Sequence, residues 1–250
     1  MVAKSGGFDS GSITDATSTK ENLQRWEPRP GTHGWPPPAR VIAGLVSRWE
    51  AVLQASLKMA DLGMSIPSAS VLEVGAGYGD GLRPLLSAGF SPANMTGVDL
   101  LEERLEIARE RLPGVTFLCA NAGDMKENFE SNSFDVVFEQ FCFCHVPDEE
   151  LKQKMASEMI RIAKPNGFIL IHDWRRSASW RGIYGVSQSY IDKNFKVYEE
   201  VDKIKVYPSL LWPPLGGRLS RYIPELYQAI RLAPFFVGAN ITLLRKRKAE

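Results

Sequence analysis

The chain has 250 residues, 44 % of them apolar and 24 % charged, with 30 Lys plus Arg against 29 Asp plus Glu. That balance excludes a disordered chain and gives no electrostatic reason to bind nucleic acid or another polyanion. Three cysteines are too few for a disulfide framework, no apolar run reaches the ~18–20 residues of a spanning helix, and a basic-then-apolar leader is lacking, so a soluble cytoplasmic domain is expected.

In chain order, residues 1–20 are rich in Ser, Thr, Gly and Asp and read as a flexible arm. Residues 21–66 read as a cap. It begins with a proline-rich strap carrying Trp26, Trp35 and His33, which can fold over a site as a lid. A helix follows from Ala39 to Leu62, on which Val41, Leu45, Trp49, Val52, Leu53, Leu57 and Ala60 recur at three- and four-residue steps, with Gly63 as its stop.

From residue 67 to 250 strand and helix patterns alternate. Strands are expected at Ser70–Val74, Met95–Asp99, Val115–Cys119, Phe134–Glu139 and Phe168–His172, with helices clearest at Glu102–Arg111 and Asp148–Ala163. That alternation predicts right-handed crossovers and a mostly parallel sheet. Two later strands, Lys196–Val206 and Asn240–Arg247, are expected to add an antiparallel edge. Between them lie an irregular insert around Trp212-Pro213-Pro214 and Gly216-Gly217 and a helical stretch at Arg218–Arg231 interrupted by Pro224. Charge is uneven: residues 101–140 hold nine acidic and four basic side chains, residues 211–250 seven basic and two acidic. A basic tail after an amphipathic stretch permits transient contact with a membrane surface.

The strongest local signal is the run Val71-Leu72-Glu73-Val74-Gly75-Ala76-Gly77-Tyr78-Gly79, an apolar strand entering a loop with glycine at alternate positions. Glycine permits positive φ and close approach of a ligand, and the loop heads toward a helix whose amides favour an anionic group. Asp99 ends the second strand, where a carboxylate can hold ribose hydroxyls, and Asn121 and Asp124 follow the third, where an oxygen can accept from an adenine amino group. The dinucleotide fingerprint needs a third glycine at position 80, which is Asp80, and there is no Walker lysine, so a nicotinamide oxidoreductase is the weaker alternative.

These segments resemble the class I S-adenosylmethionine-dependent methyltransferases over roughly residues 68–173. VLEVGAGYG is similar to the family's cofactor loop with its preceding acid, TGVDL to its ribose segment, and FLCANAGDM to its adenine segment. SFDVVFEQFCFCHV and IRIAKPNGFILI resemble the fourth strand, the following helix and the fifth strand. The resemblance implies a Rossmann-like, doubly wound α/β fold with seven strands, mostly parallel with an antiparallel edge strand, and helices on both faces. It implies S-adenosyl-L-methionine as cofactor. Glu73, Gly75, Ala76, Gly77, Gly79 and Gln140 would lie along the methionine half, Asp99 at the ribose, and Leu100, Asn121, Ala122 and Asp124 at the adenine. Residues of about 175–235 would form an insert on the acceptor side. Glu139-Gln140-Phe141 stands where methyltransferases of nucleobase amino groups carry a Pro-Pro-Tyr-type motif, which favours a small-molecule acceptor. A hydroxyl on a sugar, a glycan precursor or a specialised metabolite is the expected target; a cofactor-binding protein without turnover is the alternative.

A hydroxyl acceptor profits from a base. Candidates are His145, which also suits packing at a helix entry, and His172 with Asp173 at the end of the fifth strand. Arg175 and Arg176 can grip an anionic group on the acceptor or form a solvated basic turn. Cys142-Phe143-Cys144-His145 continues a buried strand and has no partner cluster, so no metal is expected.

Overall fold

A computed structural model describes residues 39–178, 182–231 and 233–248. The expected arm at 1–20 and the proline-rich strap with His33 lie outside the described residues.

One sheet of seven strands holds the order β3-β2-β1-β4-β5-β7-β6. The strands are β1 Val71–Val74, β2 Met95–Asp99, β3 Thr116–Cys119, β4 Phe134–Gln140, β5 Ala163–Trp174, β6 Val201–Leu211 and β7 Val237–Lys246. Strands β1 to β5 are parallel. The antiparallel strand is β7, which enters between β5 and β6 at that end of the sheet. Strand order reverses between β1 and β4, so the crevice for a ligand is expected beyond their carboxyl ends.

Helices α1 Ala39–Asp61, α2 Leu82–Ser87 and α3 Glu102–Arg111 cover one face; α4 Glu149–Ile162 and α5 Gln188–Asn194 cover the other. Two further helices, α6 Pro213–Tyr222 and α7 Pro224–Arg231, sit beside β6. The period-2 alternation of the strands assigns side chains to these faces. Val71, Phe138, Leu170 and Tyr207 pack toward α1–α3, and Leu72, Val137 and Ile171 toward α4 and α5. Helix α4 starts where Asp148 accepts from the amides of Glu150 and Leu151, a side-chain cap of the ordinary kind.

Four elements depart from the sequence expectation. On α1 the buried stripe is Ala51, Val52, Ala55 and Met59, whereas Trp49, Leu53 and Leu57 are exposed. Small residues let this helix lie close on the sheet, and that decides its rotation over bulk hydrophobicity. The segment expected to open β6 at Lys196 is instead a tight turn, with Lys196 at φ 48° and Tyr198 at φ 72°, and pairing begins at Val201. Strand β5 extends back to Ala163, and Asn166 takes φ 64°, a left-handed conformation that asparagine tolerates. The insert at Trp212-Pro213-Pro214 is helical from Pro213, because prolines in the first turn sacrifice no helical hydrogen bond.

The basic tail belongs to the fold. Lys246 Nζ donates to the carbonyls of Ile160 and Ala163 at 2.7 and 2.9 Å, closing the end of α4. Arg247 pairs with Asp202, and the Arg245 guanidinium covers the Phe168 ring.

Candidate active site

The glycine loop closes on its own chain. The amides of Gly75 and Ala76 both donate to the Val98 carbonyl, at 2.8 and 2.9 Å, and that of Gly79 to Ala76 at 2.8 Å. The Gly77 amide donates to Asp99 Oδ2 at 2.8 Å. The loop therefore offers room rather than the row of free amides expected from the sequence. Gly77 has φ 50°, and an added Cβ would meet only Asp99 Oδ2 at 4.0 Å, so it would project into open crevice. Behind the loop, Glu73 presses on Gly81, where any Cβ would collide with its carboxylate.

Asp99 is fixed through both oxygens, since Oδ1 accepts from the Leu101 amide at 3.0 Å. Each oxygen keeps a lone pair for a ligand hydroxyl. After β3, Asn121 Oδ1 accepts from the Gly123 amide at 2.9 Å in an Asx turn, which presents the side-chain edge outward. Gly75, Gly77, Asp99, Leu100, Asn121 and Ala122 line one crevice, closed on the far side by Phe141, Cys142, His145 and Met155. Ala76, Gly79 and Glu73 are buried and Asp124 is exposed, and none of the four is among the residues that line the crevice.

At the ends of β4 and β5 alternation parts the expected residues. Gln140 pairs with His172 across the two strands, and both lie on the face of α1. His172 is fully buried, its Nε2 2.7 Å from Ser209 Oγ and its ring 4.7 Å from that of Phe141. Burial, then the nearby Arg48, push its pKa well below the usual histidine value. Asp173 points to the other face, accepting from the amides of Cys144 and Trp174 at 2.8 and 2.6 Å. Burial raises its pKa to about 7. Its neighbour Glu139 is also buried and raised, by desolvation and by Asp173. His172 and Asp173 thus do not form a pair. Phe141 holds φ 54°, a strained value for a residue with a side chain, and its amide donates to the His172 carbonyl at 2.8 Å. Arg175 ties down a loop, donating to Pro234 O at 3.0 Å, while Arg176 is exposed.

Sequence reasoning missed Arg48. Helix α1 lowers it over the Phe141 ring at 5.5 Å, and it donates to Gln140 Oε1. Its signal was a lone arginine ending the stripe Arg48, Val52, Ala55, Met59.

Residues 71–167 match the family model of a methyltransferase domain. That match, to a methyltransferase domain, covers less than half of the chain. Curated methyltransferases are similar to it over part of their length. Phosphoethanolamine N-methyltransferase 2 of Caenorhabditis elegans is 31 % identical over 144 residues, covering 54 % of this chain and 31 % of the relative. The 2-methyl-6-phytyl-1,4-hydroquinone methyltransferase of Synechocystis is 35 % identical over 112 residues, covering 44 % and 33 %. The chain thus spans about a third of the length of these relatives. A solved structure of Burkholderia thailandensis 1,6-didemethyltoxoflavin-N1-methyltransferase shares the fold at TM-score 0.58 and 15 % identity, covering 98 % of this chain and 94 % of that one.

The cofactor of such a methyltransferase domain is S-adenosyl-L-methionine. Its charges fit the residues present. Buried Glu73, whose pKa burial and then Asp80 and Asp99 hold well above the carboxylate range, leaves Oε2 without a partner. A sulfonium and an ammonium nearby would relieve that repulsion.

Proposed function

We propose that this protein transfers a methyl group from S-adenosyl-L-methionine to a small-molecule acceptor, a hydroxyl oxygen on a sugar, a glycan precursor or a specialised metabolite. The carrying observation is the convergence of Gly75, Gly77, Asp99, Leu100, Asn121 and Ala122 on one crevice that His145 also lines. The bound cofactor supplies an electrophilic methyl group on a good leaving group.

The chain's part is to align and to exclude water. Asp99, braced by two amides, accepts from the ribose hydroxyls. Leu100 and Ala122 present apolar surface to the adenine, with Asn121 and Asp124 at its edge. Glu73 and Gln140 flank the amino-acid end. Val146, Leu151 and Met155 keep the far wall apolar. Burial, and then the charge of Arg104, lower the pKa of His145, so its ring is neutral near pH 7 and can take a proton from a hydroxyl. His172 is the second candidate base, neutral for the same reason. Asp173 acts from below, holding the turn that presents His145. Helix α1 and residues of about 175–235 form the acceptor side. Relatives named for phosphoethanolamine and for a hydroquinone support a small acceptor. With Arg245, Lys246 and Arg247 engaged in the fold, the tail lends no support to membrane contact.

Isothermal titration with S-adenosylhomocysteine tests the cofactor assignment: micromolar binding is expected, and no heat overturns it. Labelled methyl transfer into a fractionated small-molecule extract tests the acceptor. Label recovered on oxygen supports the hydroxyl reading, and label on nitrogen or carbon replaces it.

A further inference from the structure

The crevice lies beyond the carboxyl ends of the parallel strands, and the opposite end of the sheet holds a second cavity. Its volume is about 300 Å³, at the lower end of the range for small-ligand sites. One wall is the turn after α1, residues 62–65, together with Ser68. The other is residues 164–168 at the start of β5, together with Asp135 and Arg245. A break in register lifts that second wall. Ala163 pairs with Phe134 and Phe168 with Val136, so five steps along β5 answer two along β4, and residues 164–167 bulge from the ladder.

Among the described residues that line the cavity, three are charged, and they are not equivalent. Asp135 Oδ2 accepts from the Ser70 amide at 2.9 Å, from Ser70 Oγ at 2.7 Å and from Lys164 Nζ at 2.9 Å. Burial raises the Asp135 pKa, yet the bonds from Ser70 and Lys164 outweigh burial and hold it below the usual carboxylate range. This acid is therefore ionised and matched by Lys164. Arg245 has no such match. It lies over the Phe168 ring at 5.5 Å, and its Nε donates to the Asn166 carbonyl at 3.2 Å. Its two terminal nitrogens make no hydrogen bond among the described residues. The ring and one bond thus fix the guanidinium and leave its terminal pair of donors unspent. On the first wall Ser68 Oγ donates to Ser65 Oγ at 2.8 Å, which frees the Ser65 proton for another acceptor.

The lining carries one net positive charge. Its donors are the Arg245 terminal pair, a remaining Lys164 proton and a serine hydroxyl. That set exceeds what the two oxygens of a carboxylate need and suits the three of a phosphoryl group. Leu62, Met64 and Pro165 add apolar surface for a small body attached to it. We propose that this cavity is a second ligand site, which takes a phosphate monoester of compact, partly apolar body through Arg245, Lys164 and Ser65. It shares no lining residue with the crevice and does not depend on the cofactor reading.

Phenyl phosphate is the probe, and benzoate is its carboxylate counterpart. Isothermal titration of the full chain should show sub-millimolar binding of phenyl phosphate, at least about tenfold tighter than benzoate. Binding should tighten as pH rises through about 6, where the monoester takes its second negative charge. The charged groups facing it are Asp135, Lys164 and Arg245, and Asp135 is already ionised there. Saturating S-adenosylhomocysteine should leave the affinity unchanged. Arg245→Gln should weaken phenyl phosphate at least about tenfold, and Arg245→Lys less. Arg245 also packs on Phe168, so a second pair of variants reads charge without touching it. Gly63 lines the cavity at φ 96°, with nothing within 4 Å of an added Cβ. Asparagine and aspartate meet the same backbone cost there, so the two differ in charge. Gly63→Asp should bind phenyl phosphate about threefold or more weakly than Gly63→Asn. The proposal is overturned by absence of heat, by displacement with S-adenosylhomocysteine, by benzoate binding as tightly, or by an affinity that Arg245→Gln leaves unchanged. A loss in Arg245→Gln that comes with a lower melting temperature, and with no difference between the Gly63 variants, overturns it as well.

Discussion

The two halves of the crevice are built from different materials. On the side of β1, β2 and β3 the polar contacts run between side chain and backbone at short range: Asp99 to the amides of Gly77 and Leu101, Asn121 to that of Gly123. On the side of β4, β5 and β6 side chains meet side chains from distant segments: Arg48 with Gln140, His172 with Ser209, Phe141 with His172 and Trp174. The first arrangement depends on backbone conformation and suits a ligand part that does not vary. The second can be repacked by substitution without disturbing the loop, which is what a variable acceptor requires, Gln140 excepted because it flanks the amino-acid end of the cofactor.

Gly77→Val attacks the first half where it depends most on backbone. The residue holds φ 50°, which costs a β-branched side chain roughly 1–2 kcal/mol, and the new atoms would enter the crevice. Affinity for S-adenosylhomocysteine should fall at least about a thousandfold, ~4 kcal/mol, with the circular dichroism of the parent retained. Titration measures it; near-parent affinity would mean that the loop is not where the ligand lies.

That half was also the legible one. Gly75, Gly77, Asp99, Leu100, Asn121 and Ala122 stand in short segments at the ends of successive strands, and the sheet needs only its ordinary parallel order to bring them together. The other half was not. Arg48 lies 92 residues from Gln140 in sequence, and α1 turns its small residues inward against the expectation from Trp49, Leu53 and Leu57. His172 and Asp173, neighbours in sequence, separate to opposite faces as soon as they join a strand. Phe141's positive φ follows from its place between β4 and the turn at 143–145, not from its residue type.

Asp173→Asn probes the side-chain half on its α4 face. An unfolded aspartate ionises near 3.8, whereas the folded one keeps its proton up to about 7. Between those values the native state binds the extra proton, so stability falls as pH rises through the window and levels off above it. Asparagine abolishes that slope. Relative to the parent, the variant should gain about 3–4 kcal/mol between pH 4 and 7, measured by urea unfolding across pH. A difference independent of pH would show that Asp173 does not hold the proton.

Ser209→Ala makes the smallest cut. His172 Nδ1 already lacks a partner, and Ser209 Oγ is the hydrogen-bond partner of Nε2. Removing the hydroxyl leaves a fully buried ring with neither nitrogen satisfied, at about 1–2 kcal/mol of stability. His172 is held neutral by its surroundings, so its contribution is complete above the ordinary histidine value and is lost as pH falls below it; the variant's deficit should therefore persist at pH 8. Ser209 belongs to β6 and lies away from the glycine loop, so affinity for S-adenosylhomocysteine should stay within about twofold, inside ~0.4 kcal/mol. If that affinity instead fell with stability, the two halves would be coupled through His172 and Gln140, and the division between a fixed cofactor side and a repackable acceptor side would be wrong.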